Sequence, residues 1–203
     1  MNPGRSILTD IQLAGRFLDV IENDILPLTR RGVAKGNKVF GAAILLKSDL
    51  SLVIAETNNE IENPLWHGEM HTLKRLYERP RAHVPDAKDC IFLSTHEPCS
   101  LCLSAITWAG FDNFYYFFSY EDTRDAFSIP HDLKILDEVF RLEDGDYRHK
   151  NAFWEARAVR DLIESASDPE KAGMRKRADR IAAEYDALSA AYQSGKGEHI
   201  PLA

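Results

Sequence analysis

No stretch of this 203-residue chain approaches the ~20 consecutive apolar residues that a helix needs to cross a bilayer. The opening MNPGRSILTD places an acid where a signal peptide needs its apolar run, so the expected location is the cytoplasm, with no membrane partner. Cysteine is scarce: three residues are too few, and odd in number, for a disulfide scaffold. Basic residues are outnumbered 25 to 32, and the net charge of −7 opposes broad binding to a phosphate backbone. There is no internal repeat and no low-complexity tract, which excludes solenoids and disordered tails. What is present, 44% apolar and 28% charged residues, suffices for one folded core.

Apolar residues at Ile11, Leu13, Ala14, Phe17, Leu18, Ile21 and Ile25 recur at helical spacing and predict a helix from about Asp10 to Asp24, broken by Pro27 and Gly32. Val39 to Leu46 is a continuous apolar run, as in a strand buried on both faces, and Leu52 to Ala55 completes a hairpin with it. A helix is expected from Trp66 or His67 to Arg79-Pro80. Cys90 to Ser94 then reads as a strand, Pro98 to Trp108 as a helix stopped by Gly110, and Phe114 to Phe118 as a further strand. Strand, helix and strand in this order form a right-handed βαβ unit, so the fold class is α/β, a mixed sheet with helices on its faces. Helices are expected at Leu133 to Phe140 and at Ala152 to Ser165. A long surface or partner-packing helix covers Ala172 to Tyr192, with its start at Asp168-Pro169-Glu170 and its end at Gly195-Lys196-Gly197.

Cys99 and Cys102 follow Pro98 as a C-x-x-C pair at the start of one helix, and His67-Gly68-Glu69 opens another. Three residues apart on a helix, the two sulfurs leave one face and can reach a cation beyond the helix N-terminus, where the macrodipole favours thiolates. His67 supplies a third ligand. Three protein ligands with a free fourth position make the open, catalytic form of a zinc site. Glu69, two residues after His67, is too far round the helix to be a ligand but close enough to exchange protons with water at the metal.

The combination of H-x-E with P-C-x-x-C resembles the zinc-dependent cytidine deaminase superfamily, and the resemblance runs from about Val39 to Phe140, with Phe40-Gly41-Ala42-Ala43 similar to that family's F-G-A stretch. It implies a three-layer α/β/α fold around a mixed five-stranded sheet. It also implies Zn2+ held by His67, Cys99 and Cys102, with Glu69 as proton shuttle and Asn58 bonded to the base. Water activated by zinc and Glu69 would add to the amino-bearing ring carbon of a heterocycle, and ammonia would leave. Histidine as first ligand is similar to the branch of cytosine, guanine, deoxycytidylate and tRNA adenosine deaminases. The segment from Phe118 to Asp132 resembles the part of bacterial guanine deaminases that carries a second acidic contact, which makes Asp132 a candidate for the base. Substrate contacts are further expected from Gly68, where the backbone can lie close to the ligand, from Trp66 beside the metal helix, and from His96 just before Glu97-Pro98. The implied partner is a small heterocyclic amine, and a homodimer is expected. Residues 1–145 are read as the catalytic domain and 146–203 as a helical extension packed on it.

Two other functions compete. A tRNA adenosine deaminase needs a basic groove, for which Arg75, Arg79 and Arg81, or Arg175, Lys176, Arg177 and Arg180, are the available clusters, the second interleaved with acids. A non-catalytic zinc-stabilised binding protein would have no use for Glu69. Cys90 reads as core, and His71 as a structural histidine despite standing four residues after His67.

Overall fold

The computed structural model describes residues 9–167 and 170–195, so residues 1–8, the helix start at Asp168-Pro169 and the helix end at Lys196-Gly197 lie outside the described residues. Thr9 and Gln12 close a capping box that starts α1 (Asp10–Val20). The helix does not stop at Asp24. It passes through a π-turn (Ile21–Ile25) into α2 (Leu26–Val33). Pro27 follows the π-turn directly, in the first turn of α2, where the helical hydrogen-bond ladder is already interrupted.

The hairpin of β1 (Gly41–Leu46) and β2 (Leu52–Thr57) is antiparallel. After α3 (Gly68–Tyr77), β3 (Cys90–His96) pairs antiparallel to β1. From there α4 (Ser100–Ala109) crosses to β4 (Asn113–Phe118), parallel to β3, as the βαβ reading requires. Gly110, at φ +88°, ends α4 in the left-handed conformation that favours glycine. Two further helices, α5 (Tyr120–Asp125) and α6 (His131–Phe140), precede β5 (Glu155–Ala158), which joins β4 in parallel and completes the sheet order β2-β1-β3-β4-β5.

Sequence periodicity read residues 152–165 as helix. Only α7 (Val159–Glu164) is helical there, because Glu-Ala-Arg-Ala has no strand propensity of its own and becomes a strand by pairing with β4. A division of the chain at residue 145 therefore falls before the sheet is complete. The last helix, α8 (Glu170–Gly195), buries Ala178, Ile181, Tyr185 and Tyr192 in the core it shares with α1, α7 and one face of the sheet. The opposite face packs on α3, α4 and α6, giving three layers. No helix among the described residues is long and apolar enough to cross a membrane.

Candidate active site

The first turns of α3 and α4 meet beyond the ends of β1 and β3. His67 and Cys99 are the N-cap residues of these helices, both with extended ψ, and neither uses its side chain to cap. Their side chains, with Cys102 one turn into α4, point at a common centre. His67 Nδ1 lies 3.5 Å from Cys99 Sγ and 3.8 Å from Cys102 Sγ, and the two sulfurs are 3.6 Å apart. A tetrahedral zinc ion, with thiolates at ~2.3 Å and imidazole nitrogen at ~2.0 Å, sets such ligand atoms about 3.5–3.8 Å apart, so the donors fit zinc.

Their charge balance also favours a cation. Contact with Cys102 first, then with His67, holds the Cys99 thiol well below its ordinary value against the cost of burial. Burial acts to lower the His67 pKa, but Cys99, Glu69 and Glu60 outweigh it and raise the imidazole to about 9.

Glu69 lies in the first turn of α3 and is buried. Its Oε1 accepts from Ser94 Oγ at 2.8 Å, and its Oε2 is 3.4 Å from Cys102 Sγ. Burial first, then the Cys99 charge, raises its pKa. Asp132, in the first turn of α6, is half-buried and lies in the field of the same cluster. Burial first, then Cys99, pushes it up to about 7, while His67 and Lys38 act in the other direction.

Asn58 is buried in the loop after β2, where its Oδ1 accepts from the Gly68 N–H at 2.5 Å and its Nδ2 donates to Glu60 Oε2 at 2.8 Å. Gly68 has a packing reason to be glycine: a Cβ there would lie 2.6 Å from the Gly41 Cα, because the start of α3 rests on the backbone of β1. Gly68→Ala should therefore lift the metal-bearing turn off the sheet, costing about 1–3 kcal/mol as overpacking does. Thermal melting and a zinc titration of the variant read both effects.

Two of the residues expected to touch the substrate have protein partners of their own. Trp66 stacks on His71 at 6.0 Å, with Lys74 Nζ 4.4 Å above its ring, along the flank of α3. His96 is buried among Phe40, Phe118, Phe127 and Tyr185, in the core on the α8 side of the sheet. Strand alternation would put His96 on the Ser94 side, but β3 ends at this point, and Thr95 turns its hydroxyl to the backbone of Gly41. His71 Nδ1 meets the Thr57 carbonyl at 2.8 Å, the structural role expected of it, and Cys90 is a core residue whose thiol burial pushes up to about 11.

Several residues around the centre had no sequence signal. Glu97 accepts from Tyr147 Oη at 2.6 Å and from the Tyr120 N–H at 3.0 Å and meets His149 Nε2 at 2.9 Å, while Tyr120 Oη donates to the Pro98 carbonyl; together they fix the loop before Cys99. Glu60 and Lys38 form a buried ion pair at 3.0 Å beside His67. Ser94 had the one available hint, a hydroxyl directly after an apolar run.

Residues 24–118 match the family model described as the cytidine and deoxycytidylate deaminase zinc-binding region. The guanine deaminase of Bacillus subtilis (strain 168) is 31% identical over 90 residues, which cover 43% of this chain and 54%, about half, of that relative. The solved structure of the guanine deaminase from Nitrosomonas europaea is 18% identical, covers 92% of this chain and 98% of its own, and superposes with a TM-score of 0.51, which shows the shared fold. The X-ray structure of the B. subtilis guanine deaminase is 27% identical over 55% of this chain and 68% of its own, with a TM-score of 0.45.

Proposed function

Because residues 24–118 match the model of the cytidine and deoxycytidylate deaminase zinc-binding region, we propose that the chain is a zinc-dependent aminohydrolase that releases ammonia from a small amino-substituted base, guanine-type first. The observation that carries this reading is Glu69: a buried carboxylate, 3.4 Å from a metal-ligating sulfur and steadied by Ser94, has no structural need for a charge there. His67, Cys99 and Cys102 would hold the zinc ion, which when bound supplies the Lewis acidity that lets water attack at neutral pH.

Glu69 takes a proton from the attacking water and delivers it to the ring nitrogen next to the reacting carbon. It then passes the second proton of that water to the departing amino group and ends as the carboxylate it began as. Ser94 Oγ, bonded to Oε1, leaves Oε2 as the oxygen that moves the proton. Asp132 is an acceptor for the ring N–H or amino group that guanine offers. Asn58 has a second amide hydrogen for the base while Glu60 and Gly68 hold its plane. The 31% identity to a guanine deaminase supports the choice of base.

Most members of the basic clusters that a tRNA substrate would need are already paired with acids. Arg177 binds Asp19 and Glu22, Arg180 binds Glu22, and Arg75 binds Glu56 and Glu78. An ammonia-release screen of guanine, cytosine, adenine, their nucleosides and a tRNA, at low and high salt, tests the proposal. The expected result is turnover of a free base that survives high salt. Turnover of tRNA alone, lost as salt rises, would establish the editing reading instead, and no ammonia from any of them in the zinc-loaded protein would favour a binding protein.

A further inference from the structure

The two ring nitrogens of His67 face different charges. Nδ1 points to the sulfurs, whereas Nε2 lies 3.8 Å from Glu60 Oε1. A neutral imidazole carries one proton, and the nitrogen that keeps it cannot bind a metal. From this arrangement we infer that Glu60, neutralised by Lys38, is a positioning residue for His67: its carboxylate keeps the imidazole proton on Nε2 and leaves Nδ1 bare for zinc. The inference rests on the zinc reading of the site above and extends it to residues that do not touch the metal.

Glu60 is built to stay in place. Its side chain is 1% exposed and that of Lys38 7%, so each charge exists there only because the other does. Oε1 accepts from Lys38 Nζ at 3.0 Å, and Oε2 accepts from Asn58 Nδ2 at 2.8 Å and from the Lys38 backbone N–H at 3.4 Å. With both oxygens held, Glu60 cannot swing to the metal, and the oxygen nearest His67 can only present negative charge to Nε2. Asn58 links the same carboxylate to the Gly68 N–H, so ring and adjacent backbone are steadied from one point. A purely structural Lys38–Glu60 pair would hold the loop after β2 equally well without turning towards His67.

A carboxylate behind a metal-bound histidine typically changes metal affinity by about 10- to 100-fold. Glu60→Gln keeps the shape and removes the charge. Since it strands Lys38 as a buried cation, Lys38→Met combined with Glu60→Gln is the control that folds without an unpaired charge. Zinc affinity, measured by competition with a chromogenic chelator, should fall about 10- to 100-fold in the double variant while its near-ultraviolet circular dichroism stays wild-type.

In the cobalt(II)-loaded double variant the ligand-field bands should shift, and the sulfur-to-metal charge-transfer band should persist. Wild-type zinc affinity with unshifted bands would overturn the role of Glu60, as would a zinc loss that merely tracks a loss of folded structure with unshifted bands. A wild-type chain that binds no zinc at all would overturn the zinc reading itself, and this inference with it.

Discussion

Glu69→Gln should slow ammonia release by about 10²–10⁴-fold with zinc still bound, the range that a positioned general acid/base contributes. The substitution is nearly isosteric, and the amide oxygen can still accept from Ser94 Oγ at the place where Oε1 accepts now. The three metal donors are untouched. What disappears is the capacity to take a proton at Oε2 and return it. Because that capacity is used in the transition state, kcat and kcat/KM should fall together while KM changes little. The prediction needs two measurements on one sample, ammonia release and zinc content. An undiminished rate with full zinc would remove Glu69 from the mechanism, and a lost rate with lost zinc would show that the substitution had damaged the metal site instead.

Tyr185→Ala should cost about 3–5 kcal/mol of folding stability, the penalty for removing a large buried aromatic ring. Tyr185 is fully buried on α8, and its ring lies 5.3 Å from Phe118 on β4 and 5.8 Å from His96 on β3. For a chain of this length each kcal/mol lowers Tm by about 2–4 °C, so the melting temperature should drop by about 6–20 °C. The chain should also lose its fold in one transition, since the hole opens in the core shared by α1, α7, α8 and the sheet. A stable sheet domain with only α8 released would show that the last helix is an appendage. Calorimetry of the two proteins distinguishes these outcomes.

The parts of the structure that the sequence disclosed are those whose information is local. The metal donors could be read because Cys99 and Cys102 are three residues apart and His67 sits two before an acid, and each pattern is completed within one helical turn. β1, β3 and β4 are apolar runs with polar flanks. β5 has no such run, and it is a strand only because β4 presents an open edge. The Lys38–Glu60 pair joins residues 22 positions apart in two loops, and no periodicity links them. Trp66 and His96 were read from their neighbours in sequence, whereas their surroundings are set by partners on later helical turns and on distant segments, among them His71, Lys74, Phe127 and Tyr185. α8 is charged over most of its surface, and its buried stripe emerges only where the sheet face below it is known.

The π-turn between α1 and α2 sets a phase. Each residue of a helix advances the side-chain direction by about 100°, so the wider turn at Ile21–Ile25 rotates everything after it relative to α1. Upstream of it, Leu13, Phe17 and Leu18 face the core. Downstream, Thr29 meets Thr57 Oγ1 at 3.2 Å, and Gly32 lies against the Thr57 methyl at the end of β2, next to Asn58. Glu22, inside the turn, is gripped by Arg177 and Arg180 of α8. A plain α-helical continuation would dial Thr29 and Gly32 away from the strand that leads to Asn58. One widened turn, well over a dozen residues from the nearest metal donor in sequence, thus acts as a gear that brings the first helix and the last into step with the loop beside the active site.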